Sequence, residues 1–232
     1  MSALRLKSVK YEERVGHPKE WTLDGLTLGQ INLIVGTNAT GKTRVLNIIG
    51  NLARMFVPEP RYITANGGYD LLFEDDGHPL RYVLQKEDGK TTKEEVSIDS
   101  KKLLSRGTDG EGEIYAEVEG RNIRFKPPEN ELAAVIRRDS LQHPYLEPLH
   151  EWASSVRHYR FGTPLGQNHL AVLLKNGPQV DERDANLVVG IFHKAKLSIG
   201  PPFVEAIIHD MSRLGCISQT DKIKARGPVP SR

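Results

Sequence analysis

Eight consecutive residues, which read Gly-Thr-Asn-Ala-Thr-Gly-Lys-Thr, carry the clearest chemistry in this sequence. They match the phosphate-binding pattern G-x-x-x-x-G-K-[ST], whose glycines let the backbone approach phosphate oxygens closely. In that pattern the lysine ammonium binds the β- and γ-phosphates, and the final hydroxyl coordinates Mg²⁺ carried by the nucleotide. The motif therefore predicts binding of ATP or GTP with Mg²⁺, with Thr43 as the metal-coordinating residue. The predicted site residues are Gly36, Thr37, Asn38, Ala39, Thr40, Gly41, Lys42 and Thr43.

A phosphate-binding loop of this kind lies between a strand and a helix, and the flanking sequence predicts both. The apolar run Ile31-Asn-Leu-Ile-Val35 is typical of a buried strand. A helix is expected from Thr43 to about Phe56, ended by Pro58 and Pro60. Its apolar stripe, predicted to lie in the core, comprises Val45, Ile48, Ile49, Leu52 and Met55.

Composition excludes several function classes. The 32 basic and 30 acidic residues give a net charge of +2, which by itself indicates neither nucleic-acid nor membrane binding. A single cysteine, Cys216, excludes an internal disulfide framework and a cysteine-rich metal site. The segment Met1–Leu6 is too short and polar for a signal peptide, and no apolar run reaches the ~18 residues that span a bilayer. These features predict a cytoplasmic protein.

The rest of the chain predicts many strands followed by helices. Alternation over residues 3–12 indicates an edge strand, and Trp21–Gln30 a second strand ending in a turn. An antiparallel meander is predicted from strands at 69–73, 80–84, 95–98, 113–118 and 122–125, with turns at Asp76-Gly77, Asp88-Gly89 and Gly120. Helices are expected at 129–138, 145–154, 185–196 and 202–214, with a strand at 156–161.

The segment from Leu28 to Thr43 resembles the start of the ABC-type ATPases of the SMC and RecF branch, which carry Asn at the position of Asn38. The chain is similar to the stand-alone AAA family ATPases of that branch, including relatives of the OLD (overcoming lysogenization defect) proteins. Val156-Arg-His-Tyr-Arg-Phe161, and Asp184-Ala-Asn-Leu187 with the two helices after it, extend the resemblance weakly to about residue 215.

The resemblance implies a mixed α/β fold, a P-loop NTPase half-domain with a β meander beside the P-loop helix. The expected parts are a β-rich nucleotide-binding lobe at 1–128, a mainly helical segment of the same head at 129–217, and a flexible basic tail at 218–232. An L-S-G-G-Q-like signature, a Walker B strand ending in Asp-Glu and a switch histidine are implied too, yet the sequence contains none of them. Asp181-Glu182 follows a segment too polar for a buried strand, and His209-Asp210 lies on a predicted amphipathic helix.

The chain is therefore expected to be the N-terminal half of such an ATPase, able to bind ATP while the residues for hydrolysis lie elsewhere. The family implies a homo- or heterodimer of heads that sandwiches two nucleotides. By the same analogy, DNA contacts would involve Arg137, Arg138, Arg157, His158 and Arg160, although pairing with Asp139 and Glu151 or a solvated charged face is the simpler reading. DNA repair, chromosome organisation and antiphage defence are all compatible roles.

Two alternatives stay open. One is a nucleotide-binding interaction subunit that does not hydrolyse ATP. The other is a small P-loop kinase, but kinases usually open with their P-loop, whereas about 35 residues precede it here.

Further candidate residues are also unassigned. Gln85 and Gln142 each fit the family's Mg²⁺-sensing glutamine or an ordinary surface residue. Tyr11 or Trp21 fits adenine stacking or the core. The histidines nearest one another in the sequence are His143, His150 and His158. They are expected to be packed or solvated side chains and not metal ligands.

Overall fold

The computed structural model describes residues 4–57, 66–158 and 188–213. The chain divides into two compact units, Met1–Arg157 and His158–Arg232. The described part of the first unit holds an antiparallel sheet and three α-helices, and that of the second holds two helices. The predicted mixed α/β class is therefore confirmed.

The sheet has eight strands in the spatial order β2-β1-β3-β4-β5-β6-β7-β8, and every neighbouring pair is antiparallel. From β3 onward the strands form the predicted meander. The strands are β1 (Arg5–Glu13), β2 (Trp21–Thr27), β3 (Gly67–Asp75), β4 (His78–Glu87), β5 (Lys90–Ile98), β6 (Lys101–Arg106), β7 (Gly112–Ala116) and β8 (Arg121–Phe125).

Turn chemistry explains which hairpins the sequence reveals. Both residues of Asp76-Gly77 and of Asp88-Gly89 have positive φ. A two-residue hairpin turn needs this conformation at both positions so that its twist matches the twist of the strands. These two predicted turns are confirmed. A third hairpin turns at Asp99-Ser100, with φ of 48° and 67°. Because serine seldom adopts this conformation, the sequence gives little sign of the turn or of β6 behind it, and neither was predicted.

Helix α1 (Lys42–Phe56) confirms the helix that the sequence predicts after the glycine-rich motif, together with its apolar stripe. Val45, Ile48, Leu52 and Met55 are buried, and Ile49 packs against the same core. Helix α3 (Glu147–Ser155) lies beside α1 and adds to this core. The two helices thus cover one face of the sheet. At the N-terminus of α1, Arg44 pairs with Glu13 on β1 and lies over the Trp21 ring on β2.

The segment Ile31–Val35 is not the buried strand that the sequence predicts. It forms no strand, and its alternate apolar side chains face solvent, with Ile31 92%, Leu33 86% and Val35 75% exposed. The sheet of the described residues ends at β2, so no neighbouring strand pairs with this segment or covers it. An apolar run becomes a buried strand only where such a neighbour exists.

The edge strand expected at 3–12 forms as β1 but does not lie at the edge, because it pairs with β2 on one side and β3 on the other. Two more predictions beyond the meander are wrong or partly wrong. The helix expected at 129–138 reduces to α2 (Ala133–Ile136), because the preceding carbonyl groups bind side chains of the sheet instead of continuing a helix. The helix expected at 145–154 is confirmed as α3, preceded by a 3₁₀ turn at Pro144–Leu146. Residues 156–158 form no strand, and the remainder of that predicted strand lies outside the described residues.

The second unit contains α4 (Val188–Ile199) and α5 (Pro201–Arg213), which confirms the two predicted helices over their described lengths. Gly200, with φ of 78°, makes the turn between them, and the Phe192 and Phe203 rings lie 5.6 Å apart. The predicted tail and Asp181-Glu182 lie outside the described residues. No helix within the described ranges is long and apolar enough to cross a membrane.

A buried charged cluster fixes the 127–134 segment to the sheet. The carboxylate of Glu94, which has no exposed surface, accepts hydrogen bonds from the Ala133 and Ala134 amides at 2.7 and 2.9 Å and from the Tyr82 hydroxyl at 3.0 Å. The Arg106 guanidinium donates to the carbonyl groups of Pro128 and Glu131, and the Lys86 ammonium donates to that of Asn130. Burial raises the pKa of Glu94 and lowers those of Lys86 and Arg106.

Candidate functional site

The loop from Gly36 to Thr43 has the backbone geometry of an anion-binding cradle. Ala39 and Gly41 have φ of 65° and 89°, and the residues between and beside them do not have positive φ. Alternation of this kind turns successive N–H groups toward one side, which forms a concavity for an anion. The left-handed conformation of Ala39, unfavourable for a residue with a side chain, is held by the loop around it.

The Lys42 side chain closes this loop from inside. Its ammonium donates hydrogen bonds to the Gly36 carbonyl at 2.8 Å and the Thr37 carbonyl at 2.5 Å, and lies 3.5 Å from the Thr40 hydroxyl. The Thr40 hydroxyl in turn donates to the Thr37 carbonyl at 2.9 Å. The lysine therefore ties the first residues of the motif to the start of α1 and brings its charge into the cradle.

The N-terminus of α1 faces the same space. The first helical hydrogen bond runs from the Val45 amide to the Gly41 carbonyl, so the amides from Gly41 to Arg44 have no acceptor within the helix. No side chain caps this end, and its first turn has no acidic residue. Free amides and the helix dipole both favour an anion here.

The loop borders a cleft of about 600 Å³, a volume typical of small-ligand sites. Of the eight predicted site residues, the six from Asn38 to Thr43 line it, together with Trp21 and Arg44. Gly36 and Thr37 contribute their carbonyl groups to Lys42 instead. No carboxylate is among these lining residues, so the cleft has cations and amides and no group suited to act as a general base.

Sequence reasoning missed two residues of this site, Arg44 and Glu13. The Arg44 guanidinium forms an ion pair with Glu13 and lies 4.4 Å from the centroid of the Trp21 ring. Arg44 could be suspected from the sequence only because it directly follows the motif, on the first turn of α1. Glu13 cannot be assigned to the site from the sequence, because its place there depends on the strand register that pairs it with Trp21 across β1 and β2.

The two candidates for adenine stacking, Trp21 and Tyr11, differ in their access to the cleft. Trp21 lines the cleft, whereas Tyr11 is 4% exposed and packs edge-on against Tyr69 at 4.8 Å. The Tyr11 hydroxyl donates to Glu13 at 2.8 Å. Trp21 is thus the aromatic residue in reach of a ligand.

Neither glutamine candidate lines this cleft. Gln85 lies on β4 and donates to Glu12 at 3.2 Å. Gln142 lies in the turn that follows Asp139, where its carbonyl group accepts from the Glu117 amide. The side-chain oxygen of Gln142 is buried without a hydrogen-bond partner.

The basic candidates are engaged locally. Arg138 pairs with Glu147 at 3.2 Å, and the Arg137 guanidinium lies 5.6 Å from the centroid of the Phe125 ring. Arg157 donates to the Ser154 carbonyl, and Arg160 lies outside the described residues. Of the predicted partners, the Asp139 carboxylate accepts hydrogen bonds from the Leu141 and Gln142 amides.

Among the histidines that the structure describes, His143 differs from the others because its ring is buried and both ring nitrogens lack hydrogen-bond partners. Burial lowers the pKa of His143, an effect that nearby Asp139 opposes and Arg137 reinforces. His209 lies 3.3 Å from Asp210 on the exposed surface of α5. The described parts of the chain hold no group of three or more side chains arranged to bind a metal ion.

A second cleft, of about 520 Å³, lies on the sheet face between β1, β2, β3, β4 and β5. Its three cationic side chains are paired. Arg81 binds Asp70 through two hydrogen bonds of 2.6 and 2.8 Å, and Lys10 and Lys93 each lie 3.7 Å from a carboxylate oxygen, of Asp24 and Glu95 respectively. The hydrogen bond from Arg81 lowers the pKa of Asp70. This cleft offers fewer free groups to a ligand than the loop does.

Comparisons with protein-family models, curated proteins and solved structures give no match for this chain. The loop geometry and the sequence motif are therefore the observations that bear on its function.

Proposed function

We propose that the chain binds ATP with Mg²⁺ at residues 36–43, in the cytoplasm, and is the nucleotide-binding portion of an ABC-type ATPase of the SMC, RecF and OLD type. In this proposal the triphosphate lies across the amides at the start of α1, and Lys42 contacts its β- and γ-phosphates. The Thr43 hydroxyl coordinates the Mg²⁺ that accompanies the nucleotide.

The observation that carries this proposal is the convergence of three anion-binding features on one cleft. Ala39 and Gly41 of the cradle, Lys42 and the uncapped first turn of α1 all line it. Each feature alone is common on protein surfaces, but together they provide the charge and the donors that a polyphosphate requires.

The exposed segment Ile31–Val35 supports the idea of half an ATPase. Three alternate apolar side chains directly before the loop face solvent. A strand supplied by another polypeptide, or by a further part of the same one, would pair with this segment and bury it. Head-to-head dimerisation around two nucleotides, and any contact with DNA, are parts of the proposal that rest on the family resemblance.

A nucleotide-binding subunit without hydrolytic activity is the second candidate. It is favoured by the lining of the cleft, which includes no Asp or Glu among the described residues. In-line attack on the γ-phosphate needs a residue that orients or deprotonates water. Both candidates share ATP binding and differ in whether a partner completes the site.

The binding test is a titration of a fluorescent ATP analogue with Mg²⁺ into the wild-type chain and the Lys42→Ala variant. Loss of a charge-assisted contact worth about 1.5–3 kcal/mol should weaken binding by roughly 10- to 150-fold. Lys126→Ala, which removes an exposed lysine paired with Glu111, is the matched control and should bind like wild type. Equal affinity of the wild type and Lys42→Ala would contradict the proposal.

Hydrolysis is tested separately by steady-state phosphate release. The 232-residue chain is expected to show no turnover that depends on Lys42. Sustained release that Lys42→Ala abolishes would show that the chain carries its own catalytic group and would refute the half-enzyme proposal.

A further inference from the structure

Three side chains form a stack at the edge of the loop cleft that the proposed function does not use. Glu13 and Trp21 are directly paired across β1 and β2, so their side chains lie on the same face of the sheet. Arg44, on the first turn of α1, forms an ion pair with Glu13 and places its guanidinium 4.4 Å from the Trp21 ring centroid. The stack therefore joins the β1–β2 hairpin to the helix that carries the loop.

Trp21 also lies against the loop itself. A Cβ atom at Gly41 would lie 3.4 Å from Trp21 Cζ2, so the absence of a side chain at this glycine leaves the indole close to the backbone. Gly41 is the residue whose positive φ sets the last turn of the cradle before α1. The position of the indole ring thus limits the space open to the loop at this turn.

Two roles for Arg44 are consistent with its place beside the cleft. A free guanidinium would be a second cation for the phosphates, whereas a paired one serves to hold its neighbours. The side chain of Glu13 is 19% exposed and neutralises Arg44 directly. Tyr11 donates to the other carboxylate oxygen of Glu13 and so holds the carboxylate in place. The geometry favours the holding role.

We propose that Arg44 is a positioning residue of the nucleotide site, which acts through Trp21. Glu13 orients the guanidinium, the guanidinium holds the indole by a cation–π contact, and the indole supports the Gly41 turn of the cradle. The inference depends on the proposed function for its effect on ATP. The position of Trp21 can be measured without nucleotide.

The first measurement is acrylamide quenching of tryptophan fluorescence in the nucleotide-free chain. The sequence has two tryptophans, and Trp152 packs edge-on against Phe73 at 5.0 Å, away from the loop cleft. Subtracting the signal of a Trp21→Phe variant isolates Trp21. Arg44→Ala should raise the quenching constant of Trp21 by about twofold or more, since a cation–π contact at such a site shifts the held population several-fold.

The second measurement is Mg²⁺–ATP affinity in the same variants. Arg44→Ala should bind about fivefold more weakly than wild type, and Arg44→Lys should fall between them because it keeps the charge but lacks the planar stack. Glu13→Gln separates the two roles. If Arg44 positions Trp21, this variant binds ATP more weakly, and if Arg44 is a phosphate ligand, the freed cation binds it more tightly.

Arg121→Ala, which removes an exposed arginine paired with Glu119, is the matched control and should leave both readouts unchanged. Circular dichroism melting checks that each variant folds. Unchanged quenching and affinity in Arg44→Ala, or tighter binding in Glu13→Gln, would overturn the positioning role. If the wild type binds no ATP, the proposed function fails, and the quenching result still decides whether Arg44 holds Trp21.

Discussion

Replacing Glu94 by Gln should strongly destabilise the sheet unit, although the change is nearly isosteric. Glu94 Oε2 accepts from the Ala133 amide, and Oε1 accepts from the Ala134 amide and the Tyr82 hydroxyl. In Gln one of these oxygens becomes an NH₂ group that faces donors. At least one buried donor is then left unpaired, which costs about 1–3 kcal/mol.

The loss of charge adds to this cost. Lys86 and Arg106 are both buried near Glu94, whose charge favours their charged forms. Removing one partner from a buried charged group typically costs about 3–5 kcal/mol, part of which the remaining carbonyl contacts of these cations offset. We therefore expect a total loss of about 3 kcal/mol.

Urea denaturation followed by circular dichroism measures this loss. With a slope of about 2 kcal/mol per molar urea, the midpoint should fall by about 1.5 M. Glu95→Gln is the matched control. Glu95 follows Glu94 on β5, but its carboxylate pairs with Lys102 on the surface. That change should cost less than about 0.5 kcal/mol. A Glu94→Gln midpoint within about 0.2 M of wild type would show that the charge and hydrogen bonds of Glu94 contribute little to the stability of the sheet unit.

Two further predictions follow from buried and exposed groups. Because the pKa of His143 is lowered on folding, the unfolded chain binds a proton first as pH falls below about 6.5. The free energy of unfolding should therefore decrease as the pH falls from about 6.5 to the pKa of His143 in the folded chain, by at most about 1.4 kcal/mol per pH unit. His143→Phe should remove this part of the pH dependence, which urea titrations at a series of pH values measure. An identical slope in both proteins would count against it. Leu33→Lys should change stability by less than about 0.5 kcal/mol and reduce self-association in sedimentation experiments, since the side chain it replaces is exposed. A loss comparable to that of a buried leucine would contradict the exposed position.

The sequence predicts those parts of this fold that are encoded locally. Helix α1 has an apolar stripe of regular spacing, and the Asp-Gly turns specify their own backbone conformation. The motif predicts the loop because each of its residue types has a steric or electrostatic reason to be there. In such places local preference and tertiary structure agree.

The remaining features depend on contacts between distant residues. The segment Ile31–Val35 has the composition of a buried strand, yet among the described residues it has no neighbouring strand to pair with. The apolar residues of the segment before α2 have helical spacing. Its carbonyl groups, however, accept hydrogen bonds from the Arg106 and Lys86 side chains instead of from helical amides. The Glu13–Arg44–Trp21 stack joins three elements, and its members carry no local signal of their contact.

A crystal structure of the chain with Mg²⁺ and a non-hydrolysable ATP analogue would show directly whether the loop binds nucleotide. We expect the β- and γ-phosphates within hydrogen-bond distance of Lys42 Nζ and of the amides at the start of α1, with Mg²⁺ on the Thr43 hydroxyl. An analogue bound at another surface, with the loop unoccupied, would contradict it.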